Sequence, residues 1–287
     1  FGAVLRSPHP RARLLSLDVS AARALPGVAV VATWEDIPGK RFTGSVVADW
    51  PTLIAVGEVT RCVGDAVAVV AAESPARAEE ALGLVAAEYA VLDPVRSPAA
   101  ALAPGAPAIH PGGNALSRMA VKRGDAAGAI ASAAHVVRAS FTTPFTDHAF
   151  MEPESALAIP GEDGTMTVYT GTQSIYDDHK GIVGVLGVPP ESVKVISAYV
   201  GGGFGGKEDL IVQHHAALLA WKTGSPCKVT LDRQESIRVH PKRHAMEMEY
   251  VVAADAEGRV TAVKANLLED TGAYASLGGP VLQRACT

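Results

Sequence analysis

Apolar residues along the chain recur with two periods, and the change from one period to the other marks the elements. Short apolar runs at GAVLR, GDAVAVVAA, TMTVYT, VKVISAYV and CKVTL read as strands, with VAVVAT a buried one. AAHVVRASFTT is a further strand. RHAMEMEYVVAADAEGRVTAVKANLLED predicts a long hairpin turning at Asp255–Gly258. Helical spacing follows Ser20 until Pro26-Gly27 stops it. It returns after Ser74-Pro75, which supplies an N-cap and a proline at the first helical position. ARAEEALGLVAAEY continues that helix into a strand. SIYDDHKGIVGVLG predicts a helix closed by Gly187 ahead of Pro189-Pro190, with Ser174 as its N-cap. EDLIVQHHAALLAWKTG predicts a strong helix opening at Glu208, with Leu210, Leu218 and Trp221 on one apolar side. Strands in meanders mixed with helices favour an α+β fold over a doubly wound parallel sheet.

An Ala/Pro-rich tract, SPAAALAPGAPAIHPGG, interrupts this pattern and has little to bury. It divides the chain into a first mixed α/β block over residues 1–97, a linker over 98–124 and a second α+β block over 125–287. No solenoid-type repeat is present.

Composition narrows the class. At 287 residues and 48% hydrophobic, the chain can bury a sizeable core, which excludes intrinsic disorder. A net charge of −5 argues against a broad nucleic-acid-binding face, and no apolar run is long enough to span a membrane. Cys62, Cys227 and Cys286 are scattered, with no CxxC pair, so neither a disulfide framework nor a zinc site is expected. That usage, together with the lack of a signal peptide, fits a reducing cytoplasm. The first residue is Phe1 rather than Met, so the sequence reads as cut from something longer.

The sharpest chemical feature is Gly201-Gly202-Gly203-Phe204-Gly205-Gly206-Lys207-Glu208, set between a strand and the helix expected at Glu208. Glycines let a backbone approach a ligand closely, and a helix N-terminus behind them would offer amide donors and partial positive charge. The spacing is neither a Walker A loop nor a GxGxxG fingerprint, so a nucleotide-binding module ranks last among the readings. Glu208 and Asp209 are read as first-turn acids complementing the helix dipole, or, for Glu208, as a neighbour of whatever the loop holds. Thr170-Gly171-Thr172-Gln173-Ser174 is a second strand-to-helix turn, and the two turns are expected to converge at one sheet end. Gln173 has no evident structural task there. His148 and the adjacent pair His214 and His215 lack metal-site spacing, so no protein-ligated metal is expected.

GGGFGGKE after a strand, TGTQ upstream of it and DHAFMEPE further upstream resemble, in that order, the molybdenum-binding subunit of the xanthine dehydrogenase/aldehyde oxidase family. RSPHPRARL and GDAVAVVAAESPARAEEALGLVAAEYAVL are similar to phrases of that family's hammerhead domain, so the resemblance covers essentially the whole chain. It implies a hammerhead α/β domain followed by the first part of a molybdopterin-binding α+β domain. It also implies a molybdopterin cofactor carrying oxo- and sulfido-ligated molybdenum, the metal being held by the pterin and not by protein side chains. The implied reaction hydroxylates a carbon beside nitrogen in a heterocycle, or an aldehyde carbon, with oxygen from water. Electrons would leave through [2Fe–2S] clusters and FAD on partner subunits or segments.

By the same resemblance, Gln173 matches a glutamine that hydrogen-bonds an oxygen ligand of molybdenum, and Gly203, Phe204 and Gly205 match the loop lying against the cofactor. Glu208 and Arg284 match a substrate-orienting pair of purine-oxidising members, which favours a purine or related N-heterocycle. Aldehyde oxidoreductase and carbon monoxide dehydrogenase types are alternatives, and a non-catalytic scaffold half of a split subunit is the alternative of another class. The family's later segments, with its base, are expected on a remaining C-terminal portion or a partner chain, beside iron–sulfur and FAD subunits. The chain alone is therefore expected to be inactive.

Overall fold

A computed structural model describes residues 1–287. The chain opens with β1 (Gly2–Arg6), β2 (Ala12–Asp18), helix α1 (Ser20–Ala24), β3 (Val28–Ala32), the short pair β4 (Phe42–Thr43) and β5 (Trp50–Pro51), and β6 (Ala66–Ala72). Helix α2 (Pro75–Gly83) follows, with the Ser74 side chain accepting from the Arg77 amide and Pro75 in the first turn. The cap and proline act there as expected. Strand β7 (Ala86–Val91) then pairs antiparallel with β2.

Helices α3 (Pro98–Leu102) and α4 (Ala126–Ser132) lead into β8 (His135–Thr143), β9 (Ser155–Pro160) and β10 (Met166–Thr170). Helix α5 (Ile175–Leu186) ends on Gly187, whose φ of 64° supplies the left-handed C-cap that its glycine signalled. Next come β11 (Val193–Ser197), α6 (Gln213–Thr223), β12 (Cys227–Thr230), α7 (Arg233–Val239), β13 (Ala245–Ala254), β14 (Val260–Asp270) and α8 (Gly278–Ala285).

Packing groups these elements into two compact units, residues 1–94 with 147–241, and residues 95–146 with 242–287. The first unit is built on a seven-stranded mixed sheet in the order β11-β10-β9-β12-β1-β6-β3. Strands from both compositional blocks share it, joined where β1 runs parallel to β12 at Gly2 and Val229. Gly2 fits that junction because a β-carbon there would lie 2.8 Å from Leu219 and 2.7 Å from Val229. All seven residues of β6 are buried. Val69 and Ala71 join the core beneath α6, while Val70 and Ala72 join a smaller core with Ala22, Ala78 and Ala81 of α1 and α2. A continuous apolar run is what a strand covered on both faces requires.

Helix α6 is buried from Gln213 through Ala220 and packs across β9 and β12 and against α5. A helix apolar on nearly every side belongs in a core. It starts later than its sequence predicts: Glu208 to Val212 are irregular, and Leu210 precedes the helix. The Gln213 side chain explains this, because its Oε1 accepts from the amides of Ile211 and Val212, both at 2.9 Å. The helix N-terminus expected directly behind the glycine loop therefore lies five residues further on, at Gln213, and Glu208 and Asp209 fall outside its first turn.

The second unit holds a three-stranded antiparallel sheet, β14-β13-β8. Its hairpin turns at Asp255 as expected, with Asp255 accepting from Arg259 N at 2.9 Å and returning its own amide to Arg259 O at 3.0 Å. Helices α3 and α4 pack on this sheet. No helix in either unit is long and apolar enough to cross a membrane.

Leu219 is fully buried in α6, so Leu219→Ala should cost about 2–5 kcal/mol in a urea melt, the range for a large-to-small change that leaves a cavity. Asp178 is fully buried on α5, with both carboxyl oxygens 3.4 Å from Gln213 Nε2. Burial pushes its carboxyl up to about 7, opposed by hydrogen bonds from Thr172 and Gln213 and reinforced by Asp177 and Asp209. A carboxyl raised on folding favours the folded state most below its unfolded value. That contribution is lost as pH rises through the folded one. Stability should therefore fall between about pH 4 and pH 7, and Asp178→Asn should flatten this slope in melts taken across that range.

Candidate functional site

Strands β10 and β11 run parallel, with Thr170 beside Ser197 at their C-terminal ends. The turns that follow them, Thr170–Ser174 and the glycine loop, therefore leave the sheet at the same end. They meet through Gln173. Its amide donates to Lys207 O at 2.9 Å, while its side-chain Oε1 accepts from Gly205 N at 3.0 Å and Lys207 N at 3.2 Å. The Thr172 hydroxyl adds a long bond to Lys207 O at 3.4 Å. Gln173, which looked free of structural duty, thus clips the glycine loop shut with half of its amide. Its exposed NH2 group makes no hydrogen bond within the chain and remains a pair of donors at the loop's edge.

Ser174 occupies the N-cap position of α5, but its hydroxyl does not cap. It donates instead to Asp177 Oδ2 at 2.7 Å, and the Ser174 amide is taken by Thr172 Oγ1 at 3.1 Å.

The loop backbone is unusual in the way its glycines foretold. Gly202 and Gly205 have φ of 96° and 93°, and Phe204 between them has φ of 53° despite carrying a side chain. Such left-handed non-glycine positions cost energy and gather where surrounding structure holds them for a purpose. Gly203 is buried, and a β-carbon there would sit 2.3 Å from Gln173 Oε1. Phe204 projects outward, 74% exposed. Gly205 and Glu208 are half-buried. The structure thus brings Gln173, Gly203, Phe204, Gly205 and Glu208 together in the first unit. Arg284 belongs to the second unit, exposed in the last turn of α8, where a cation also complements the helix C-terminus.

His214 and His215 are core residues. Their ring centres lie 4.0 Å apart. His215 Nε2 donates to Thr52 O at 3.0 Å. Burial lowers both, His214 far below its ordinary value and His215 to about 3, so each is a neutral imidazole at physiological pH. No group of three or more His, Cys, Asp or Glu side chains is arranged to hold a metal ion.

Residues that sequence reasoning did not assign also hold this end of the sheet. Lys207 is 2% exposed and pairs with Glu152 at 2.8 Å. Gln213 links α6 to Asp178 of α5. Their signal in the sequence was weak, since a lysine and a glutamine near a loop are ordinarily surface residues.

A molybdopterin can be tested against these residues. Its molybdenum carries oxygen ligands that accept hydrogen bonds, and the free Gln173 NH2 is a matched donor. Loop positions 201–203, 205 and 206 carry no side chains, and a β-carbon on Gly205 would meet nothing closer than 3.6 Å, so backbone can approach a flat ligand. The residues present fit the group.

Comparison with known proteins agrees. Residues 1–93 match the family model described as the a/b hammerhead domain of aldehyde oxidase and xanthine dehydrogenase, and residues 109–287 match that of the molybdopterin cofactor-binding domain. The chain is 39% identical over 282 residues to a probable xanthine dehydrogenase subunit of Bacillus subtilis, covering 98% of this chain and 38% of that one. It is 40% identical over 285 residues to the nicotinate dehydrogenase large molybdopterin subunit of Eubacterium barkeri, covering 99% of this chain and 67% of the relative. The chain thus spans only part of the length of each of these relatives. Among solved structures, the aldehyde oxidoreductase of Desulfovibrio gigas aligns over 93% of this chain and 30% of its own, with TM-score 0.87 and 27% identity. Quinoline 2-oxidoreductase of Pseudomonas putida 86 aligns over 93% of this chain and 35% of its own, with TM-score 0.80 and 33% identity. On the loop geometry and these matches together, the chain belongs to the xanthine dehydrogenase/aldehyde oxidase family of molybdenum hydroxylases, of which it carries the hammerhead domain and a molybdopterin-binding segment.

Proposed function

We propose that the chain is part of the molybdenum subunit of a hydroxylase whose substrate is a purine or related N-heterocycle. The observation that carries this reading is the divided use of Gln173: its carbonyl fixes the glycine loop while its NH2 is left facing outward at the loop's edge. A donor held in place before the ligand arrives loses little entropy on binding and is aimed before any charge develops.

The cofactor, when bound, supplies the redox chemistry and activates a water-derived oxygen. The chain's own residues orient. Gln173 would donate to an oxygen on the molybdenum, and the backbone of Gly203 to Gly205 would lie against the cofactor. The exposed Phe204 ring would offer an apolar face to a planar substrate. Glu208 would accept a hydrogen bond from a ring N–H, and Arg284 would stabilise negative charge that oxidation pushes onto the ring. Electrons would leave through [2Fe–2S] clusters and FAD on partner subunits or segments, and a remaining molybdenum-domain portion would complete the site. Support for a heterocycle comes from the relatives named for nicotinate and xanthine, at 40% and 39% identity, while a relative named for an aldehyde, the indole-3-acetaldehyde oxidase of Arabidopsis thaliana, shares 32%.

In the assembled enzyme, Gln173→Ala should lower kcat/KM for a heterocycle by about 100-fold, the scale of losing one fixed donor to a developing charge. Turnover within a few-fold of wild type would overturn its role and favour a non-catalytic scaffold half. Glu208→Ala should depress oxidation of a purine far more than oxidation of an aldehyde, measured as the ratio of the two kcat/KM values. Equal losses would remove Glu208 from substrate recognition. Purified alone, the chain should oxidise neither substrate.

A further inference from the structure

The segment Asp147 to Glu154 has no task in the reading above, yet it forms the bed on which the glycine loop lies. Side chains at alternate positions touch the loop. A β-carbon on Gly206 would come within 2.8 Å of His148 and 2.9 Å of Phe150, one on Gly202 within 3.2 Å of Phe150, and one on Gly201 within 2.7 Å of Glu152. A β-carbon on Gly171, in the other turn, would lie 3.2 Å from the Glu152 carboxylate. Glycines of both turns are therefore shaped around this bed. The bed is itself held. Phe150 is 1% exposed, with its ring 4.7 Å from that of His240. Asp147 stands 3.2 Å from one nitrogen of His240 and Glu154 3.3 Å from the other. Backbone strain recurs here too: Ala149 has φ of 53°, with its amide tied to Asp147 Oδ1 at 2.7 Å.

Glu152 makes the decisive contacts. Its Oε2 accepts from Gly201 N at 2.7 Å and from Lys207 Nζ at 2.8 Å, so one carboxylate oxygen grips the first residue of the loop and the last. Lys207 is buried, its ammonium 4.6 Å from the centre of the Phe150 ring. Burial works to raise the Glu152 carboxyl, but the bonds from Lys207 and Gly201 hold it below the ordinary carboxylate range, so it is ionised at neutral pH.

We propose that Glu152 is a positioning residue, which clamps Gly201 to Lys207 and thereby sets where Phe204 and Gly205 stand. What those residues meet rests on the function proposed above; the clamp itself rests only on this geometry. The physical reason is asymmetric. An exposed carboxylate gains little from a surface ion pair, but a buried ammonium without its counter-charge is strongly destabilising. The loop must then move to hydrate Lys207, and it carries Gly205 with it.

The test uses charge removal and rescue in the assembled enzyme. Glu152→Gln keeps an acceptor for the Gly201 amide but strands the Lys207 charge. Lys207→Met added to it removes the stranded charge with an apolar side chain suited to the Phe150 ring. Hydrogen exchange at the Gly205 and Lys207 amides should rise about tenfold in Glu152→Gln while exchange in β9 and β12 stays at wild-type rates. The double variant should recover most of that protection, as a coupled pair requires. For a heterocyclic substrate, kcat should fall in the single variant with KM within about twofold of wild type, and recover in the double. Unchanged loop exchange in Glu152→Gln, losses spread across the whole unit, or additive losses in the double variant would each overturn the clamp. Molybdenum and pterin analysis of the wild-type protein separates the two ideas: a metal-free assembly would sink the proposed function, while the exchange comparison would still decide the clamp.

Discussion

Everything at the candidate site depends on two parallel strands ending side by side. Because β10 and β11 pair in register to Thr170 and Ser197, the turn after each begins at the same sheet edge, and Gln173 can reach the glycine loop with both its main chain and its side chain. A glycine-rich segment released from that edge would be a floppy connection. Tied to Gln173 on one side and Glu152 on the other, it holds Phe204 at a strained φ with the ring turned outward. The strain is maintained by over-determination, since the loop is tied on both sides of Phe204, at Gly201 and Lys207 by Glu152 and at Gly205 and Lys207 by Gln173.

The same edge shows how a core element can be read as a functional one. His214 and His215 lie in a helix buried almost all round, kept neutral by the absence of water, and one of them bonds a main-chain carbonyl. Gln213 and Asp178 are buried polar groups that answer each other between α5 and α6, with Gln213 also holding the two amides just before the helix. These contacts fix where α6 begins, and so how long the glycine segment can be.

Much of the fold was legible. Ser74-Pro75 opened a helix, Gly187 closed one, and the turn at Asp255 appeared where its residues placed it, because caps and turns are local and their chemistry is written in adjacent residues. The onset of α6 was not legible. Apolar periodicity runs back to Leu210, but the competing bond from Gln213 to its own preceding amides ends the helix there. The value of Gln173 to the loop was hidden for a related reason: a glutamine's partners are set by a strand neighbour distant along the chain.

By itself the sequence determined the α+β class, the glycine loop after a strand and the ordered motifs of a molybdenum hydroxylase, since periodicity, glycine content and motif order are properties of the chain as written. Tertiary structure alone decided that strands of both compositional blocks complete one sheet, that half of Gln173 is spent on the loop, and that DHAFMEPE forms its bed. The reason is contact distance: β1 meets β12, and Glu152 meets Lys207, across chain separations that no local pattern encodes.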